Sequence, residues 1–162
     1  MKIENGKLKI EDGEVGGVVL LSGIIYTARD AAHRRIAELL SAGKEPPFPL
    51  SGAAIYYCGP SPAKPGEIIG SCGPTSSSRM DGLTPLLLEH GLKIMIGKGD
   101  RSPDVMSAIK SHGALYLKAI GGAAAYYKQF VKSCKLLAFP DLGCEAVYEL
   151  YVEKMPVILD KN

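Results

Sequence analysis

The sequence lacks any apolar run long enough to cross a bilayer and has no apolar signal core at its start. Its longest apolar stretch, around Val18 to Ile25, is interrupted by Ser22 and Gly23, far short of the ~20 residues a membrane helix needs. A cytoplasmic protein is therefore expected. An excess of one charge sign is also missing. Nineteen basic and 17 acidic residues leave a net charge of +2, spread along the chain, so no nucleic-acid partner is expected. Cysteine is sparse: Cys58, Cys72, Cys134 and Cys144 stand ten or more positions apart. That spacing excludes a CxxC pair or another compact signature for zinc or an iron-sulfur cluster, and no metal ligand is assigned to this chain. In a cytosolic chain such thiols mostly behave as small buried hydrophobes. The phosphate loop GxxxxGK[ST] is absent as well.

What the chain does have is enough length and apolar content for a core. Its 162 residues are 46% hydrophobic and 22% charged, which predicts one domain over 1–162 that folds without disulfides or metal. Nineteen glycines and 11 prolines make about 19% of the chain against a usual ~12%, which puts weight on loops.

Periodicity predicts a mixed α/β chain. A strand is expected around 18–25, then a helix over about 31–42 with Asp30 as N-cap and Gly43 as stop, its apolar stripe formed by Ala32, Ile36, Leu39 and Leu40. Strands are expected at 53–58 and 68–69, on either side of a proline-punctuated loop. The run Ser71 to Asp81, rich in glycine and hydroxyls, then feeds a helix through Leu86–Leu88 to Gly91. Strands at 93–96, 114–119 and 135–139 alternate with helices at 103–112 and from Gly121-Gly122 to about 131, which implies right-handed crossovers and some parallel sheet. A last, half-buried strand is expected at 145–152, with Ala146, Tyr148, Leu150 and Val152 on one face. The two tyrosine pairs, 56–57 and 126–127, are expected to pack rather than to stack on bases.

Three basic side chains lie in loop-type sequence: Arg29, Arg79 after the hydroxyl run, and Lys98 between two glycines. A guanidinium fork matches a carboxylate bidentately, and glycines flanking a lysine admit a ligand to the backbone, so the trio suits a small dicarboxylate. The plain alternative is that the arginines pair with Asp30, Asp81 or helix ends. Gly73 to Ser78 reads equally as an anion nest, a hydroxyl site or a serine-rich helix cap. Among the histidines, His33 is expected on a polar helix face, while His90 and His112 are expected to sit at helix C-termini, where a cation suits the dipole.

The segments Thr27–Arg35, Tyr57-Cys58-Gly59-Pro60, Gly70–Thr75, Arg79-Met80-Asp81, Met95–Asp100, Gly121–Ala125 and Leu142–Ala146 resemble, in order, the β subunit or C-terminal catalytic domain of class I fumarate hydratases and L(+)-tartrate dehydratases. The resemblance implies a hydro-lyase and a three-layer β/β/α domain of the swivelling type. It implies a partner α subunit, in an α2β2 heterotetramer, whose cysteines hold a [4Fe-4S] cluster with one open iron. That iron would act as Lewis acid on the C2 hydroxyl while a base takes a proton from C3. By motif, Arg29, Arg79 and Lys98 would hold substrate carboxylates and Thr75 would lie beside the carbon that exchanges a proton, as base or as hydrogen-bond donor. Reversible hydration of fumarate to (S)-malate is the activity expected first. Dehydration of L(+)-tartrate to oxaloacetate, or binding of a carboxylate without turnover, are the alternatives. Ser76 stands where relatives often have a second Thr, and Ser78 where Gly often precedes the Arg. If position 78 needed positive φ, serine there would cost on the order of 1 kcal/mol.

Overall fold

The structure, a computed structural model, describes residues 3–4, 8–13, 17–120 and 123–159. The elements in chain order are β1 (Ile3–Glu4), β2 (Leu8–Asp12), β3 (Val18–Thr27), α1 (Asp30–Ser41), β4 (Ala54–Tyr56), α2 (Thr84–Glu89), β5 (Ile94–Gly97), α3 (Pro103–Ser111), β6 (Leu115–Ala119), α4 (Ala123–Tyr127), β7 (Val131–Ala138) and β8 (Val147–Leu159). Strands β3, β4, β5 and β6 are parallel neighbours joined through α1, α2 and α3, so the expected crossovers are present. The remaining strand pairs are antiparallel. One sheet thus mixes both kinds.

The thirteen-residue β8 explains how the two kinds join. One edge pairs with β3 from Val18↔Ile158 to Tyr26↔Glu149. Its other edge pairs first with β7 and then with β6. Hydrogen bonding therefore runs in a closed circuit β3–β4–β5–β6–β8–β3. Side chains alternate between two cores because successive strand residues point to opposite faces. Ala54, Tyr56, Ile94, Ile96 and Leu117 join Leu21, Leu150 and Val157 in one core. Ile55, Tyr57, Met95 and Tyr116 meet Ala32, Ile36, Leu87 and Ile109 from the helices in the other.

Several expectations shift. Asp30 is the first residue of α1 rather than its cap. Arg29 is the N-cap residue without a side-chain cap bond, and the Glu145 carboxylate instead accepts from the Ala31 amide at 3.4 Å. Gly43 takes φ +70° as the stop requires. Ile68–Ile69 forms no strand: Ile69 anchors in the core while Ile68 lies half exposed. The helix after 121 ends at Tyr127 and passes into a 3₁₀ turn over Lys128–Phe130, so β7 starts at Val131. Gly121 and Gly122 lie outside the described residues. Strand β8 runs seven residues past Val152, through a left-handed Lys154 (φ +51°) whose amide donates to Ser22 Oγ at 2.9 Å. Among the described residues, no helix is long and apolar enough to cross a membrane.

Candidate functional site

Adjacent parallel strands end level with one another, in the lateral row Thr27, Tyr56, Ile96, Leu117. Just past this row lie the residues singled out in the sequence. Arg29 follows β3 by two positions, and Lys98 directly follows β5. Binding residues concentrate in loops that a rigid scaffold holds in place. The hydroxyl loop is tied to the same edge. Thr75 donates its amide to Tyr57 O at 2.7 Å and accepts from the Lys98 amide at 3.2 Å, and Ser77 donates back to Lys98 O at 2.9 Å. Two isolated bridges, Cys58↔Pro74 and Ser76↔Lys98, fasten the loop to the residues that follow β4 and β5.

That close approach explains Gly97. A Cβ there would overlap Ser77 Oγ and come within 2.7 Å of the Tyr57 ring, so only glycine lets the loop down onto β5. The loop then turns through a 3₁₀ segment, Ser77–Met80, that exposes Arg79. Among the described residues, only Phe139 and Lys154 combine positive φ with a side chain. Ser78 thus adopts an ordinary conformation and carries no backbone penalty.

The arginines have acidic neighbours. Arg79 places Nε at 3.0 Å and Nη2 at 2.9 Å from the same Asp30 oxygen, Oδ2, one of the pairings weighed from the sequence. Arg29 Nε lies 4.0 Å from Glu145 Oε1, and its aliphatic part packs so closely on Gly59 that a Cβ there would meet Arg29 Cδ at 3.1 Å. Asp81 pairs instead with Arg101.

Arg101 is the residue that sequence reasoning missed. Its side chain is fully buried, donating to Asp81 Oδ1, Tyr57 Oη and Thr84 Oγ1 at 2.8 Å each, with Ser77 O at 3.4 Å. Its guanidinium also lies 5.1 and 5.2 Å from the centroids of Tyr57 and Tyr116. This one cation ties the loop to Tyr57 just after β4, to Tyr116 in β6 and to Thr84 at the start of α2. The only hint in the sequence is that two polar segments, 75–81 and 98–102, each bring an unassigned charge.

His33 is a correction. It is fully buried rather than on a polar face, packed edge-on at 5.4 Å from the Tyr57 ring. Nδ1–H donates to Arg29 O at 2.8 Å, and burial pushes its pKa down to about 4, so the ring is neutral at pH 7. His90 and His112 end α2 and α3 as C-caps. Of the tyrosines, 56, 57 and 127 are core residues, while Tyr126 is partly exposed and packs on Phe130.

Three buried side-chain atoms among the described residues have no hydrogen-bond partner: Arg29 Nε, Asp30 Oδ1 and His33 Nε2. They belong to the N-cap residue and the first four residues of α1. Buried polar groups are otherwise about 90% or more satisfied in folded proteins, so unused bonding capacity collects at the start of α1, where Asp30 holds Arg79.

The cysteines form no ligand set. Cys58 and Cys72 are buried and Cys144 is exposed. Burial drives the Cys58 thiol well up and holds the Cys72 thiol at about 11, so both stay protonated. No group of three His, Cys, Asp or Glu able to hold a metal ion occurs among the described residues. The described residues therefore offer no fitting set of ligands for an iron-sulfur cluster.

A mixed α/β domain with a cationic edge beyond its parallel strands is the class these observations define. The chain belongs to the Fumarase C-terminus family, whose profile matches residues 2–161. It is 43% identical to the anaerobic class I fumarate hydratase of Escherichia coli (strain K12) over 141 residues, 86% of this chain and 26% of that protein. It is 40% identical to fumarate hydratase 2 of Leishmania major over 159 residues, 97% of this chain and 28% of that protein. A putative L(+)-tartrate dehydratase subunit beta of Methanocaldococcus jannaschii is 36% identical over 159 residues, 94% of this chain and 82% of that subunit. The chain thus spans about a quarter of the length of these fumarate hydratases.

Proposed function

We propose that this chain is the carboxylate-holding β subunit of a two-subunit, cytoplasmic hydro-lyase that interconverts fumarate and (S)-malate. The observation that carries the reading is that the Thr75 loop is hydrogen-bonded to Lys98 just after β5, and that Arg79 pairs with Asp30 beside Arg29 at the start of α1, in a chain of this family. On this reading the domain is a single swivelling-type unit of three layers, β/β/α, and a partner α subunit in an α2β2 assembly carries the [4Fe-4S] cluster and its Lewis acid. Arg29, Arg79 and Lys98 clamp the two carboxylates. Holding reactants in one geometry is worth ~7–11 kcal/mol of barrier, and positive charge beside the carboxylate next to C3 stabilises the enolate-like character that develops as the proton leaves.

Thr75 serves as the proton-transfer group or as a hydrogen bond to substrate. A hydroxyl is a poor base unless a cation stabilises its alkoxide; Lys98, whose amide donates to the Thr75 carbonyl at 3.2 Å, is the lysine we assign to that task. Tartrate dehydratase is the second reading. The observation favouring it is that the tartrate dehydratase subunit is covered over 82% of its length, as a separate β chain would be. The test is anaerobic reconstitution with the co-purifying cysteine-bearing partner, followed by assay on both acids. Malate and fumarate turnover is expected to dominate; tartrate turnover well above malate would transfer the chain to the second reading, and absence of a partner and of turnover on either acid would leave a carboxylate-binding module.

A further inference from the structure

From the first turn of α1 we infer that Asp30 is a positioning residue, one that aims Arg79 at the substrate rather than merely neutralising it; this rests on the reading that Arg79 holds a substrate carboxylate. A guanidinium has two edges able to grip a carboxylate, one formed by Nε and Nη2 and one by Nη1 and Nη2. Asp30 occupies the first, with both contacts made to Oδ2. The second edge remains open, so the bond fixes the plane of the fork and leaves its end for a ligand.

The two partners differ in freedom. The Asp30 side chain is 19% exposed and the Arg79 side chain 50%, so a fixed carboxylate holds an exposed cation. Asp30 is fixed by its place as the first residue of a twelve-residue helix, where the dipole favours a carboxylate. An ion pair as exposed as this one contributes little to stability. Meanwhile Asp30 Oδ1 is buried without a partner, which costs free energy. A pair built for stability would use both oxygens. This one uses a single oxygen and sets direction.

Asp30→Asn keeps the shape and removes the charge. In the reconstituted complex it is expected to lower kcat at least ~10-fold while KM stays within about threefold or falls, because Arg79 keeps its charge but loses its aim. Asp30→Glu, which restores the carboxylate, is expected to recover part of kcat. A residue with only a structural role would move kcat and KM together with the melting temperature. An Asn variant with kcat within twofold of wild type would overturn the inference, as would Asn and Glu variants equally impaired. The second readout is independent of turnover: in the full chain, solvent exchange of the Arg79 Nε proton, followed by NMR, is expected to speed up at least ~10-fold in Asp30→Asn. Unchanged exchange rejects the aiming role whatever the activity. If the wild-type complex turns over neither acid while exchange responds as expected, the proposed function fails and Asp30 still holds Arg79.

Discussion

Two cationic settings, Arg101 on one hand and Arg29 with Arg79 on the other, are built on opposite principles. Around Arg101 the donors are paired with a carboxylate, two hydroxyls and a carbonyl in a fully buried setting. At Arg29 and Arg79 the guanidiniums are partly exposed, each has a single acidic neighbour, and buried polar atoms are left over. Saturation marks the structural cation; spare bonding capacity marks the pair free to take a ligand. Asp30 and Asp81 show the same division, since Asp81 also accepts from the Ser102 amide at 2.9 Å while Asp30 keeps an oxygen unused.

The contrast can be broken by substitution. Arg101→Met leaves Asp81 without its cation and is expected to cost about 3–5 kcal/mol in urea denaturation; a loss under 1 kcal/mol would mean that the saturated cluster is no keystone. His33 comes next. Its pKa of about 4 against an ordinary ~6.5 means that between those values the unfolded chain binds a proton and the folded one does not. Stability is therefore complete above about pH 6.5 and falls as pH drops toward 4, by on the order of 3 kcal/mol. The groups facing the ring, Arg29 O, Asp30, Tyr57 and Arg101, include only one anion to offset a proton there. His33→Gln should flatten the fall, and equally steep profiles for the two proteins would reject this account.

Gly97→Ala sharpens the comparison by prising the loop from β5. We expect a loss of ~1–3 kcal/mol from overpacking, together with weaker turnover, read from chemical denaturation and steady-state assays on one preparation. Arg79→Lys has the smallest effect in free energy. Turnover per bound substrate should fall at least ~10-fold, ~1.4 kcal/mol, with stability held within ±0.5 kcal/mol as for an ordinary surface change. Arg79→Lys and Arg101→Met with matching profiles would erase the distinction between the clusters.

Much of this arrangement was legible beforehand, for reasons the structure makes plain. The segment β3–α1–β4–α2–β5–α3–β6 follows local rules: short apolar strands, proline at the start of α3, glycines with positive φ after α1, α2 and α3. Arg29, Arg79 and Lys98 stand out because they sit in loop-type sequence, whereas Thr75 is singled out only by the family resemblance. What was not legible depends on distant partners. Strand β2 is held by pairing with β3, and β8 outruns its alternation because Ser22, 132 positions away, secures the bulge at Lys154. A histidine followed by two arginines on a helix resembles a solvated face, yet here it is buried with the Tyr57 ring packed against it. Nothing local distinguishes a buried Arg101 from an exposed one.

Closure of the strand circuit by β8 also bears on how the chain comes into being. The Tyr148 amide donates to Thr27 Oγ1 at 3.0 Å, across 121 positions of sequence. During translation β3 therefore waits for most of the chain to emerge before its second edge is covered, and contacts this distant in sequence form slowly. Until then one flank of β3 and one of β6 stand open to any neighbouring strand, so a ribosome stalled ahead of residue 147 would hold a sticky, half-made sheet.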